Sequence, residues 1–144
     1  MKIATILADK GSHVVTVAPD HSIQALLRLL SRHNIGALVV STDAQTIIGI
    51  VSERDILLAL ARGASDMDAP VSDIMKTEVF VSPPDANIDE LMTVMTAQRI
   101  RHIPITSDSG ELMGIVSIGD LVKARLSELE TERAALVGYI THGG

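Results

Sequence analysis

The chain matches itself. Shifted by 65 places, Pro19 to Ala59 lies over Pro84 to Ala124 without a gap. Identical pairs include Pro19/Pro84, Asp20/Asp85, Ile23/Ile88, Leu26/Leu91, Asp43/Asp108, Gly49/Gly114, Ile50/Ile115, Val51/Val116, Ser52/Ser117, Asp55/Asp120 and Ala59/Ala124. Other pairs keep their character, as Leu27 over Met92 and Leu38 over Ile103 do. Such an internal period means one supersecondary unit used twice. Upstream of Pro19 the match weakens, yet Thr5-Ile6-Leu7 and Asp73-Ile74-Met75 still correspond once the first copy takes a few extra residues.

The unit is read from its periodicities. Residues 14–18 (VVTVA) and 79–82 (VFVS) are β-branched or aromatic runs ending at proline, where a strand loses its donor. Ile23, Leu26, Leu27, Leu29 and Leu30 then recur at helical spacing, as do Ile88, Leu91, Met92, Val94 and Met95, with Asp20 and Asp85 as the expected N-caps. ALVVS at 37–41 and HIPIT at 102–106 precede the polar turns TDAQ and SDSG, and TIIGIV at 46–51 and ELMGIV at 111–116 follow. Links this short join neighbouring antiparallel strands. A second helix opens at Ser52 or Ser117, giving the order strand, helix, strand, strand, helix. A unit of about 60 residues is marginal alone, so the two are expected to share a core. The boundary falls in Gly63 to Ala69, ahead of Pro70.

Composition then removes whole classes of function. Hydrophobic residues make up 47 % and charged residues 21 %, which suits a packed core and excludes disorder. With one Phe, one Tyr and no Trp, the chain lacks rows of rings on which single-stranded nucleic acid would stack. Eighteen acids against twelve Lys and Arg leave a formal charge of −6, the wrong sign for holding a phosphate backbone. Without cysteine there is no disulfide frame, thiolate metal site or cysteine nucleophile. The apolar stretch Ile3 to Ala8 is too short for a signal segment, and no run approaches the ~18 residues of a membrane span. A soluble, cytoplasmic protein without nucleic-acid or membrane partners is expected.

The feature repeated with least change is GIVSERDI at 49–56 and GIVSIGDL at 114–121. A serine followed three residues later by an aspartate, directly after a buried strand, reads as a capping box. The same geometry also suits a ligand: free N–H groups at a helix start attract phosphate, and an aspartate one turn in can accept both hydroxyls of a ribose. The two readings coexist.

Two correctly spaced copies of this motif, in a tandem of strand, helix, strand, strand, helix with Ile74-Met75 near the second start, resemble a pair of cystathionine β-synthase (CBS) domains, the Bateman module. The resemblance covers residues 1 to about 124. It implies an α/β fold of the α+β type: two tandem β-α-β-β-α repeats packed through their sheets about a pseudo-twofold axis, plus a C-terminal helix. It also implies clefts for an adenosyl ligand, AMP, ADP, ATP or NAD, with S-adenosylmethionine ranked behind them. Asp55 and Asp120 would take the ribose diol, and Ser52 and Ser117 would lie near ribose or phosphate.

The copies differ where the phosphate would sit. The second has Arg99, Arg101 and His102 leading into Ile103-Pro104-Ile105; the first has Asn34, Ile35, Gly36 and Ala37 leading into Leu38. Arg99 reads equally as a cation offsetting a helix dipole, whereas Arg101 and His102 suit charge-assisted phosphate contacts. Arg54 is either a further phosphate contact or a solvated first-turn side chain. With so few rings, adenine is expected against the aliphatic walls of Ile35, Leu38, Ile103 and Pro104, and Gly36 and Ala37 leave room that makes the clefts unequal.

No enzyme is expected. Ser117 lies in a run one residue too long on its left for a nucleophile elbow, the scattered histidines show no metal spacing, and no phosphate-binding glycine loop is present. From Leu121 to Ile140 the helix continues, with Val122, Leu126, Leu129, Leu136 and Ile140 at alternating four- and three-residue steps broken by Arg133. This stripe is expected to support a homodimer. The expected organisation is 1–65 first repeat, 66–124 second repeat and 125–144 helical tail. The expected function is a regulatory module that senses an adenine nucleotide and signals to an unidentified protein partner, the alternative being a ligand-free dimeric scaffold acting through its C-terminal helix.

Overall fold

Alternation along the hairpins decides the architecture. The computed structural model describes residues 1–11 and 13–142. In the first repeat β1 (Thr16–Val17) pairs parallel with β2 (Ala37–Val40), which pairs antiparallel with β3 (Gly49–Ser52). Helix α2 (Ile23–His33) forms the crossover and α3 (Glu53–Ala61) follows β3. In the second repeat α4 (Ile88–Gln98) leads into the antiparallel pair β4 (His102–Thr106) and β5 (Leu112–Ser117), and α5 (Ile118–His142) follows. An N-terminal helix, α1 (Ile3–Lys10), precedes both.

Leu38 and Val40 face the α2 core, so the intervening Val39 points the other way, and it too is fully buried. Ile103 and Ile105 face the α4 core, and the intervening Pro104 is buried likewise. Each sheet is thus covered on both faces, the second by the other repeat. A Cβ on Gly36 would lie 3.4 Å from the His102 ring, and the Leu112 N–H donates to the Gln45 carbonyl at 2.8 Å.

Several expected elements are corrected. The strand expected at 79–82 is a single bridge from Ser82 to Ile105, and that at 14–18 keeps two residues. Pro83 and Pro84 follow Ser82 directly and cannot donate to a ladder. The helix caps are Ser22, whose hydroxyl accepts from the Ala25 N–H at 3.0 Å, and Asn87, each two residues beyond the expected aspartates. The helix expected to continue from Leu121 into the tail is present, as α5 runs unbroken for 25 residues. Its apolar stripe lies uncovered, with Leu126, Leu136 and Ile140 all more than half exposed. Gly143 and Gly144, the end of the expected tail, lie outside the described residues. Among the described residues no helix is long and apolar enough to cross a membrane.

The two cores exchange their first segments. Ile3 and Ile6 of α1 are buried in the second core with Ile88, Leu91, Ile103 and Leu121. Val71 in a short 3-10 turn (Val71–Asp73) is buried in the first core, with Ile74 and Met75 packed against it. Matching backbone bonds fasten both: Ile3 N–H to Ala86 O at 2.9 Å and Ala4 N–H to Pro84 O at 2.8 Å, against Val71 N–H to His21 O at 2.8 Å and Ser72 N–H to Pro19 O at 3.0 Å. The correspondence of Thr5-Ile6-Leu7 with Asp73-Ile74-Met75 is therefore a spatial one. It also explains the recurring glycine of the motif. A Cβ on Gly114 would stand 2.6 Å from the Leu7 side chain, and one on Gly49 2.7 Å from the Lys76 carbonyl and 3.0 Å from the Met75 sulfur. Each exchanged segment presses on the strand where that side chain is missing.

Candidate functional site

Both motifs start a helix straight from a strand, and both close on themselves. The Asp120 carboxylate accepts from the Ser117 N–H at 2.8 Å while the Ser117 hydroxyl accepts from the Asp120 N–H at 3.1 Å, the reciprocal box expected. At the first motif Asp55 Oδ2 accepts from both the Ser52 N–H at 2.9 Å and the Ser52 hydroxyl at 3.1 Å. Capping and a ligand role therefore compete for only one carboxylate oxygen of Asp55.

The lysine beside each carboxylate distinguishes the copies. At the second motif the Lys10 ammonium, brought by α1, sits 2.7 Å from Asp120 Oδ2 and donates to the Ile115 carbonyl at 2.8 Å. Burial works against the Asp120 charge, yet Lys10 and the Ser117 N–H outweigh it and hold this carboxyl below its ordinary value. At the first motif Lys76 stands off at 3.7 Å from Asp55 Oδ1, with more than half of its side chain exposed.

Around Asp55 opens a cleft of about 900 Å³ between the repeats. Of the residues anticipated from sequence it gathers Gly36, Ala37, Ser52, Arg54, Asp55, Arg101 and His102. The basic end of the second repeat therefore meets the Ser-x-x-Asp motif of the first. The second repeat supplies both Arg101 and Asp120, but Arg101 lines the cleft at Asp55 and Asp120 does not. The room expected beside Gly36 is filled by the His102 imidazole. Burial, with the Lys10 charge second, lowers the His102 pKa and favours its neutral form.

Ser117 and Asp120 do not line this cleft, nor do Ile35, Leu38, Ile103 and Pro104. Leu38 and Ile103 are interior core residues, Ile35 packs on the first core, and Pro104 is buried on the strand face between the sheets. The apolar wall is instead Ile50, Leu57, Val79, Phe80 and Ile100. Sequence reasoning missed Phe80, which comes in on the segment read as a strand, and Lys76, which lies just ahead of that segment. The available signal was rarity, as Phe80 is one of two rings in the chain. Four cations, Arg54, Lys76, Arg99 and Arg101, line the cleft against the carboxylates of Glu53, Asp55 and Glu78. Among the described residues the three arginines make no ion pair, and no group of His, Asp and Glu is gathered as a metal site. Such a cleft can hold an anion beside a ring and present a carboxylate oxygen to hydroxyls.

Known proteins share the fold of this tandem repeat. The family model described as "CBS domain" matches residues 10–62 and again 71–127. A mitochondrial CBS domain-containing protein of Arabidopsis thaliana is 37 % identical over 150 residues, covering 98 % of this chain and 72 % of its own. The crystal structure of a CBS-domain containing protein from Agrobacterium tumefaciens is 41 % identical, with a TM-score of 0.82, over 87 % of this chain and 99 % of that one. A CBS domain protein from Pyrobaculum aerophilum, solved in complex with AMP, is 27 % identical with a TM-score of 0.77, over 91 % and 99 % of the respective chains. Two family matches, falling on the two halves of an internal repeat, establish that this chain belongs to the CBS domain family as a tandem pair.

Proposed function

We propose that this CBS pair is a regulatory module that binds one adenine nucleotide, AMP, ADP, ATP or NAD, in the cleft at Asp55 and passes a change of shape to a protein partner. The observation carrying this reading is the convergence of unpaired arginines, the Phe80 ring and the Ser52–Asp55 motif on one cleft. Asp55 Oδ1 is positioned for the ribose diol, Ser52 for ribose or phosphate, and Arg54, Arg101 and His102 for phosphate. Asp120 lies off the cleft and pairs with Lys10, which supports one ligand per chain rather than two. Coupling requires the nucleotide to favour one arrangement of the repeats or subunits over another. No turnover of the nucleotide is part of this reading, and the cysteine-free composition accords with a cytoplasmic setting.

A nucleotide at 100 times its dissociation constant is expected to add about 2.7 kcal/mol, a rise of roughly 5–10 °C in melting temperature for a chain of this size. A thermal scan on protein freed of co-purified nucleotide by unfolding and refolding measures this, and titration calorimetry is expected to give one site per chain. No shift with AMP, ADP, ATP or NAD would sink the reading in favour of the ligand-free scaffold.

The uncovered stripe of α5 supports a homodimer in either case. Val122, Leu126, Leu129, Leu136 and Ile140 are all exposed along one helix, apolar area that a second copy would remove from water. Sedimentation at micromolar concentration is expected to show a dimer that Leu126→Glu with Leu136→Glu dissociates; a wild-type monomer rules the dimer out.

A further inference from the structure

The first part of α5 lies against the body, where Leu121 is fully buried and Ala124 packs on the second core. Beyond Glu128 the helix stands clear. Every described residue from 129 to 142 is exposed except Gly138, and the side-chain hydrogen bonds of Thr131 and Thr141 return to the helix's own backbone. At 1.5 Å per residue this end projects by about 21 Å, and a helix of that length is marginal in water without packing. The stripe along it keeps one rhythm. Val122, Leu126, Leu129, Arg133, Leu136 and Ile140 fall at alternating d and a positions of a heptad, and Arg133 is their one polar member.

Charge beside the stripe decides the direction of a partner helix. In this heptad Arg125 and Glu132 take g positions, and Glu130 and Val137 take e positions. Two parallel copies set each g against the e of the partner's next heptad, so Arg125 meets the partner's Glu130. Arg125 is half-exposed, and its contacts within the chain, to Asp89 and Glu128, are both long at 3.8 Å. Arg133 then lies beside the partner's Glu132, which meets its charge. Two antiparallel copies overlapping along the whole stripe set e on e and g on g instead. That arrangement puts Glu130 on the partner's Glu130 and Glu132 on the partner's Glu132, like charges that repel. An antiparallel overlap of the projecting ends alone avoids this clash but leaves Val122 and Leu126 in water.

We propose that two chains pair through α5 as a parallel, in-register, two-stranded coiled coil whose projecting ends form one stalk. This rests on the homodimer reading above and fixes its geometry. A single polar residue at an a position specifies register and strand number at a cost in stability, and Arg133 has that part here.

The chain contains no cysteine, so single cysteines report without background. Val122→Cys and Ile140→Cys, each alone in the full chain, are first checked by sedimentation under reducing conditions and then treated with oxidised glutathione. Each variant is expected to link to itself in about half or more of the chains. In the full antiparallel overlap each site lies about 27 Å along the helix from its own copy, and only a mixture of the two variants links. Nitroxide labels on Val122→Cys read the same geometry without needing a disulfide, and with helix axes 8–10 Å apart an interspin distance below about 20 Å is expected. A distance of about 25 Å or more in a dimeric protein overturns the parallel pair and leaves the dimer standing. A wild-type monomer overturns both.

Discussion

Asp55→Asn is expected to weaken adenosine and AMP alike by about 10- to 100-fold. The ribose diol is common to both ligands, and losing a charged hydrogen-bond partner costs ~1.5–3 kcal/mol. Asparagine is the informative replacement because its carbonyl oxygen can still accept from the Ser52 N–H, the bond that caps α3. Alanine would remove the cap together with the ligand contact. Asp120→Asn serves as the matched control: Asp120 lies off the cleft and pairs with Lys10, so nucleotide affinity is expected to stay within twofold of wild type. Calorimetry on both variants decides the point. Equal losses at the two positions would mean that Lys10 yields its place and that the second motif also receives a ligand.

The largest stability effect is expected from one methyl-rich side chain near the start of the chain. Ile3 is fully buried among Ile88, Leu91, Ile103 and Leu121. Ile3→Ala removes that packing and leaves a cavity, costing about 2–5 kcal/mol, or roughly 5–15 °C in melting temperature. By contrast Leu57→Ala on α3, where the side chain is 65 % exposed, is expected to change stability within about 0.5 kcal/mol. A melting temperature for Ile3→Ala within 2 °C of wild type would mean that α1 does not dock in solution.

The order of elements could be read from sequence because the repeat carries it twice. Leu26 over Leu91 and Val51 over Val116 share one packing role, so their coincidence betrays one unit. What the offset does not reveal is which copy each segment touches. Asp55 and Asp120 are equivalent by sequence, and so are Gly36 and Arg101. Yet the crossing of the hairpins brings Arg101 to Asp55, since pseudosymmetry exchanges partners while preserving types. The contact of Lys10 with Asp120 spans 110 residues, and no local pattern announces it. Phe80 escaped because β-branched neighbours and a following proline look like a strand even where the second proline ends the ladder after one bridge. The aliphatic residues first taken as pocket walls, Ile103 and Leu38, were sound guesses as buried residues, but burial belongs to core and pocket alike.

The exchange of first segments has a consequence for the order in which the protein is made. On the ribosome α1 emerges before either repeat, while the strand and helix that enclose Ile3 and Ile6 extend to Leu121. The first core, by contrast, is complete once Met75 has emerged. Domains generally fold as units during synthesis, and contacts far apart in sequence close last. Translation therefore leaves the leading helix waiting with its apolar face uncovered while the repeat behind it finishes. The helix that precedes both repeats becomes the closing piece of the second.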